Sequence, residues 1–210
     1  MTFTILAFSI LILFYAIYFC KMFAQKRRGI QTRQIGMRKE RKARTVEMLM
    51  SVATALIVPV QVVSIVLGVS LLGGGFRIAG IAAGFLGDAV FFTAVLTMRD
   101  SWRAGIPSED KTALISDGIY SVSRNPAFLG FDLMYAGICL AYCNAATVIC
   151  SLFAIVMLHL QILQEEKFLV GAFGVEYAAY KSHVRRYFGR KRRSKHRERE
   201  AANEVKQKGE

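Results

Sequence analysis

Charge is nearly absent from long stretches of this chain, and that absence decides its fold class. After Met1 the first charged residue is Lys21, and none lies between Glu47 and Arg77. Only Asp88 interrupts Ile78 to Met98, and only Asp132 interrupts Pro126 to Gln164. A helix needs about 20 predominantly apolar residues to cross bilayer hydrocarbon. The first three runs each supply one crossing. The last supplies two, with Asn144 near its middle as the turn. The expected fold is all-α: a multi-pass integral membrane bundle of about five transmembrane helices plus an amphipathic C-terminal helix.

The formal net charge is +13 over 210 residues. A basic balance suits either nucleic acid or an anionic membrane, and the location of the charge separates them. One cluster runs from Lys26 to Arg44; the other begins at Lys181 and includes Arg185, Arg186 and Arg190 to Arg193. Both directly follow apolar segments, and cytoplasmic loops are enriched in Lys and Arg. The turn at Gly73-Gly74-Gly75 has only Arg77 nearby, and the turn at Asn144 has no cation. Five crossings with the N-terminus outside place both basic clusters, the C-terminus and the Met98–Asn125 loop in the cytoplasm. The expected partners of the basic loop and tail are anionic lipid headgroups, each Lys or Arg contributing about 1 kcal/mol; nucleic acid is not expected. A short chain with few extramembrane additions points to a prokaryotic inner membrane. The first apolar run lacks a basic start and its cations follow it, so it reads as a retained anchor rather than a signal peptide. Cys20, Cys139, Cys143 and Cys150 form no CxxC pair and read as small buried hydrophobes, with no metal site expected.

The helices are expected at about Thr2–Phe23, Val46–Leu72, Ile78–Met98, Pro126–Tyr142 and Ala145–Gln164. Pro59 predicts a kink in the second. Gly80, Gly84 and Gly87 are small residues spaced to let the third helix approach a neighbour closely. Asp88, inside that helix, is either functional or a hydrogen-bonded lock on the bundle. Trp102 is expected to anchor at the interface. Beyond Glu165-Glu166, the residues Phe173, Tyr177, Tyr180, Val184 and Tyr187 recur at helical spacing, as on a helix lying against the bundle. Residues 191–210 are charged, without apolar periodicity, and expected to be disordered.

Three polar pieces converge at one membrane face: the loop Leu114–Tyr120, the turn Arg124-Asn125-Pro126, and the pair Glu165-Glu166. Helices four and five form a hairpin, so the Arg124 and Glu165 ends lie at one depth. A carboxylate pair can hold an ammonium or hydroxyl groups. The free N–H groups at the start of helix four, beside Arg124, can hold a carboxylate. Tyr120 and Phe128 can pack on a planar base or a sulfonium. The bland alternative is an ion pair between Arg124 and Glu165 or Glu166 that merely ties the hairpin.

Gly118-Ile119-Tyr120, then Arg124-Asn125-Pro126-Ala127-Phe128-Leu129-Gly130, then Glu165-Glu166, then Phe173-Gly174-Val175-Glu176-Tyr177 and Tyr180 resemble the isoprenylcysteine carboxyl methyltransferase family. The phospholipid N-methyltransferases share much of this pattern. The similarity covers about Ser101 to Tyr187, and its ordered set is more specific than any single piece. The resemblance implies a membrane enzyme that transfers a methyl group from S-adenosyl-L-methionine to a lipophilic acceptor entering from the bilayer. It places cofactor contacts on Thr112, Ala113, Leu114, Ile115, Tyr120, Asn125, Pro126 and Glu165. Arg124 and Glu166 become the candidate catalytic residues, and Gln161 and Asp132 the candidate substrate-binding ones. It also divides the chain into residues 1–97 (three helices and the basic linker), 98–190 (the cofactor-binding half) and 191–210 (the tail).

Two departures shape the expectation. Asn125 stands where the family usually has histidine; it hydrogen-bonds but does not titrate near neutral pH. Gln161 stands where an arginine of the prenylcysteine enzymes engages substrate, and an amide is a weaker partner for a carboxylate. Methyl transfer is therefore carried by the resemblance, while the acceptor stays open between a carboxylate, a phospholipid amine and another lipophile. A carboxylate needs no base; an amine would lose a proton, with Glu166 or Asp132 as candidates. His159 reads as a packing group or a substrate contact. A non-catalytic protein, or a nicotinamide-dependent reductase of the same fold, remains the alternative.

Overall fold

The computed structural model describes residues 1–30, 32, 35, 40–103 and 113–190. Its elements are α1 (Thr2–Arg27), α2 (Arg41–Leu67), α3 (Gly74–Met98), α4 (Pro126–Ala141) and α5 (Ala145–His183), with single 3-10 turns at Arg99–Ser101 and Gly118–Ser121. Four of the helices are long and apolar enough to span a membrane. The protein is an all-α integral membrane bundle. α4 has only 16 residues, or about 24 Å at 1.5 Å per residue. That is shorter than the roughly 30 Å of bilayer hydrocarbon.

Local chemistry explains where the helices begin and end. α2 stops at Leu67 because Gly68 takes a left-handed conformation, φ +66°, which glycine adopts without a steric penalty. Gly73 is the N-cap of α3, so Gly74 and Gly75, expected in a turn, belong to the helix. α2 continues without a break through Pro59. Asn144 starts α5 with a reciprocal cap: its side chain accepts from the Thr147 N–H, and the Thr147 hydroxyl accepts from the Asn144 N–H. Such a box satisfies two donors left over at a helix start.

The largest difference from expectation is α5. It does not end near Gln164: its first straight part continues from Ala145 to the break at Gly174, about 44 Å at 1.5 Å per residue. The expected surface helix is its continuation, bent at Gly174, where φ is +50° and ψ −118°. Tyr187, expected on the helical stripe, lies beyond the end of the helix in a tight turn closed by pairing of Val184 with Arg190.

The α3–α4 seam is built on glycine. A Cβ on Gly80 would lie 2.5 Å from the Gly137 carbonyl oxygen, and one on Gly87 would lie 2.7 Å from the Met134 nitrogen. Gly130 and Gly137 make the same close approach from α4. In lipid, packing at backbone distance replaces the hydrophobic effect as the force between helices. The small residues expected to pack therefore do so, against a second glycine pair on α4.

Cross-links fix which ends lie together. At the basic end, Gln25 Nε2 donates to the Trp102 carbonyl at 3.0 Å and Arg28 pairs with Asp100 at 2.9 Å. At the opposite end, the Leu71 N–H donates to the Cys143 carbonyl at 2.8 Å and Asn144 Nδ2 to Ser64 Oγ at 3.0 Å. Trp102 is not an interfacial anchor: it is 4% exposed, packed edge-on against Tyr18 and Phe91. Among the described residues the cysteines are free; Cys20 is exposed and the other three are half-buried, so they are not the buried hydrophobes expected.

Candidate functional site

Two cavities meet at the basic end of the bundle. The first lies between the Ala113–Tyr120 segment, the start of α4 and the outer part of α5. Its lining includes Ala113, Leu114, Ile115, Tyr120, Arg124, Asn125, Phe128, Glu165, Phe173, Tyr177 and Tyr180. The second, of about 330 Å³, lies among α1, α2, α4 and α5. It is lined by Tyr15, Tyr18, Met50, Thr54, Phe131, Tyr135, Leu158 and Gln161, among others. Trp102, Arg103, Ala127, Phe128 and Glu165 line both.

The first cavity is shaped by a turn that only glycine can begin. Gly118 has φ +53°, and a Cβ there would meet the Thr97 side chain at 3.0 Å. The turn delivers Tyr120 into the wall, 6% exposed, and burial holds its phenol well above the ordinary tyrosine range. Tyr180, one bend further along α5, donates to the Tyr120 carbonyl at 2.7 Å. α4 then starts at Pro126 without a side-chain cap. A helix start leaves its first N–H groups without intrahelical partners, and here those nearest the cavity belong to Ala127 and Phe128.

Glu165 and Glu166, adjacent in sequence, point to different places because neighbouring helix positions are about 100° apart. Glu165 lines both cavities and accepts from Gln161 Nε2 at 3.4 Å. Glu166 lines neither. It is 4% exposed and accepts from Arg124 Nη2 at 2.6 Å and from Arg186 Nε and Nη2 at 2.9 Å each. These hydrogen bonds hold the Arg186 guanidinium above its ordinary pKa. The chain closes over this ion cluster as a strap. The Arg124 N–H donates to the Arg185 carbonyl, the Gly189 N–H to the Val122 carbonyl, and Asn125 Nδ2 to the Arg186 carbonyl at 3.2 Å.

The sequence-derived candidates therefore divide. Ala113, Leu114, Ile115, Tyr120, Arg124, Asn125 and Glu165 share one cavity wall, and Gln161 lines the adjoining cavity. Pro126 is buried at the first position of α4 and lines neither. Asp132 also lines neither, and its Oδ1 is buried without a hydrogen-bond partner among the described residues. Thr112 and the 191–210 tail lie outside the described residues. His159 is engaged by the Tyr187 hydroxyl at 2.6 Å, away from both cavities. Asp88 is buried on α3 with neither oxygen hydrogen-bonded among the described residues. Sequence reasoning missed Arg186 and Tyr187 as parts of the site's frame. The one available signal was a buried glutamate with two arginines downstream, and spacing alone does not show that the chain folds back.

A family model described as phospholipid methyltransferase matches residues 63–176. Protein-S-isoprenylcysteine O-methyltransferase B of Arabidopsis thaliana is 29% identical over 110 residues, 50% of this chain and 55% of that protein. The chain thus spans about half the length of the curated relative it matches. The family match runs from α2 through α3 and α4 into the outer part of α5, and so takes in Arg124, Gln161, Glu165 and Glu166.

Proposed function

Because the chain belongs to the phospholipid methyltransferase family, we propose that it is a membrane-embedded methyltransferase that uses S-adenosyl-L-methionine and acts on a lipophilic acceptor. The observation that carries this reading is the junction of two unlike cavities at Glu165 and Phe128. Both are mainly apolar, but the first, at the basic end, carries the larger share of polar lining, with Arg124, Asn125, Tyr177 and Tyr180 in its wall, and the second lies among the long apolar helices. A methyltransferase for a lipid-soluble acceptor needs such a junction, because a charged water-soluble cofactor and an apolar chain must meet at one atom. The basic end is the cytoplasmic one on this reading, as the concentration of Lys and Arg there supports.

The donor set of the first cavity fits the cofactor. Arg124 Nε and the Tyr177 hydroxyl are buried, line the cavity wall and have no hydrogen-bond partner among the described residues. Leaving a buried donor unsatisfied costs about 1–3 kcal/mol, and a carboxylate ligand removes that cost for both. The uncapped N–H groups of Ala127 and Phe128 add the positive end of a helix dipole. Glu165 is the acceptor for an ammonium or for ribose hydroxyls, and Tyr120, Phe128 and Phe173 supply faces for an adenine or a sulfonium. The cofactor when bound supplies an electrophilic methyl group. The chain's residues do the rest: they hold both reactants at the junction, exclude water with Trp102 and Phe128, and align the acceptor. Arg124 touches the cofactor on this reading, whereas Glu166 acts through Arg124 and Arg186 as a positioning residue.

Calorimetric titration of the detergent-purified protein with S-adenosyl-L-methionine tests this assignment. Saturable binding that is lost in Glu165→Ala, with the bundle still folded, is the expected result. Unchanged binding in that variant would contradict it.

A further inference from the structure

The strap over Arg124 carries a turn with an apolar apex. Gly189, at φ +99°, lets the chain reverse, and the Arg185 N–H donates to the Gly189 carbonyl at 2.9 Å. The turn holds Phe188 out from the protein, 72% exposed. Arg185 and Arg190 flank it and are exposed as well, and Lys191, Arg192 and Arg193 follow in the chain. One exposed apolar side chain needs no explanation by itself; the depth at which this one sits supplies the argument.

Tyr187 fixes that depth. Its hydroxyl bonds His159 Nδ1 at 2.6 Å. His159 lies on α5 six residues before Glu165, about 9 Å further into the apolar run. Arg186, the neighbour of Tyr187, is held by two hydrogen bonds to Glu166. The turn is therefore drawn down against the sides of α4 and α5 at the membrane edge, and Phe188 opens at the boundary between hydrocarbon and headgroups. The chain's own tail is a poor cover for it, because that tail is basic and repels Arg185 and Arg190. A second copy would bring the same basic end. An anionic lipid surface supplies what both residue types need: an acyl boundary for the ring and phosphates for the guanidinium groups.

We propose that the turn Arg185–Arg190 is a membrane anchor that binds the anionic lipid surface of the protein's own leaflet, with Phe188 inserted and Arg185 and Arg190 on headgroup phosphates. The proposal does not depend on what the cavities bind, but it bears on them. The Arg124 N–H donates to the Arg185 carbonyl and Asn125 Nδ2 to the Arg186 carbonyl, so whatever holds the turn also holds one wall of the first cavity. Lipid composition thereby sets how firmly the strap is closed.

Amide hydrogen exchange tests this on the full chain in nanodiscs of phosphatidylcholine alone and of equal parts phosphatidylcholine and phosphatidylglycerol. The N–H groups of Arg185 and Gly189 should exchange about tenfold more slowly with phosphatidylglycerol, a few-fold from each arginine, while amides of the α3–α4 seam stay unchanged. Arg185→Gln should lose a few-fold of that response. Phe188→Ser should speed strap exchange about tenfold in both lipids, because insertion of the ring does not depend on headgroup charge. Equal strap exchange of the wild type in the two lipids overturns the proposal. So does a full lipid response in Arg185→Gln, which would give the lipid site to the tail, or wild-type exchange in Phe188→Ser. Glycerol phosphate added to phosphatidylcholine nanodiscs should give no protection; protection equal to that from phosphatidylglycerol would assign the turn to a free phosphate and refute a lipid anchor.

Discussion

Replacing Glu166 by glutamine should release the C-terminal strap while leaving the bundle intact. The carboxylate is buried and takes one hydrogen bond from Arg124 and two from Arg186. Its loss leaves the Arg124 guanidinium, with a side chain 5% exposed, with only the Lys181 and Val184 carbonyls at 3.2 and 3.3 Å. Removing one partner of a buried ion pair costs about 3–5 kcal/mol. The low end applies here, because glutamine keeps one acceptor oxygen and because Arg186, a third exposed, is partly screened by solvent. About 3 kcal/mol corresponds to roughly a hundredfold change in an opening equilibrium. Amide hydrogen exchange reads this directly. The N–H groups of Arg124, Arg185 and Gly189, which bond to Arg185, Gly189 and Val122 across the strap, should exchange about a hundredfold faster in Glu166→Gln. Amides of the α3–α4 seam should not change. Strap exchange within about threefold of wild type would refute the reasoning, since the ion cluster would then not be what holds the strap.

Two further substitutions test the bundle itself. Gly137→Ala places a Cβ 2.6 Å from backbone atoms of Gly80 and Gly84, whereas Gly84→Ala meets the movable end of Ile10 at 2.7 Å. The first should destabilise by about 3 kcal/mol and the second by about 1 kcal/mol, read by thermal denaturation in detergent; equal effects would contradict the backbone-contact account of the seam. Asn144→Ala removes the reciprocal cap of α5 and should cost about 1 kcal/mol in the same assay, while Asn144→Asp should retain most of it.

How much of this was legible in the sequence follows from which forces are local. Charge-free runs report hydrocarbon directly, so five helices and their pairing of ends could be read before any coordinates. Asn144, Gly80, Gly84 and Gly87 speak through backbone geometry, and their roles were readable too. The proximity of Arg124 to the glutamate pair followed from the hairpin. Which glutamate it meets did not, because Glu165 and Glu166 differ only by a rotation about the α5 axis, and the orientation of that axis is set by packing. The length of α5 was misread for a related reason: Glu165, Glu166 and Lys167 look like the end of a span, but a helix keeps its hydrogen bonds when it enters water. The bend at Gly174 and the return of Arg186 to Glu166 are tertiary events without a local signal. Trp102 is amphipathic enough for either an interface or a core, and only the aromatic cluster around it decides.

The central claim is that the two cavities pass a methyl group from a water-soluble cofactor to a lipophile at Glu165. Its most direct test is to incubate the purified protein with S-adenosyl-L-methionine labelled in the methyl group and a total lipid extract, then count label in the organic phase. The account predicts protein-dependent transfer into an extractable lipid, abolished by Glu165→Ala. Cofactor bound with no label leaving the aqueous phase, across lipid extracts rich in amine and hydroxyl headgroups, would contradict it.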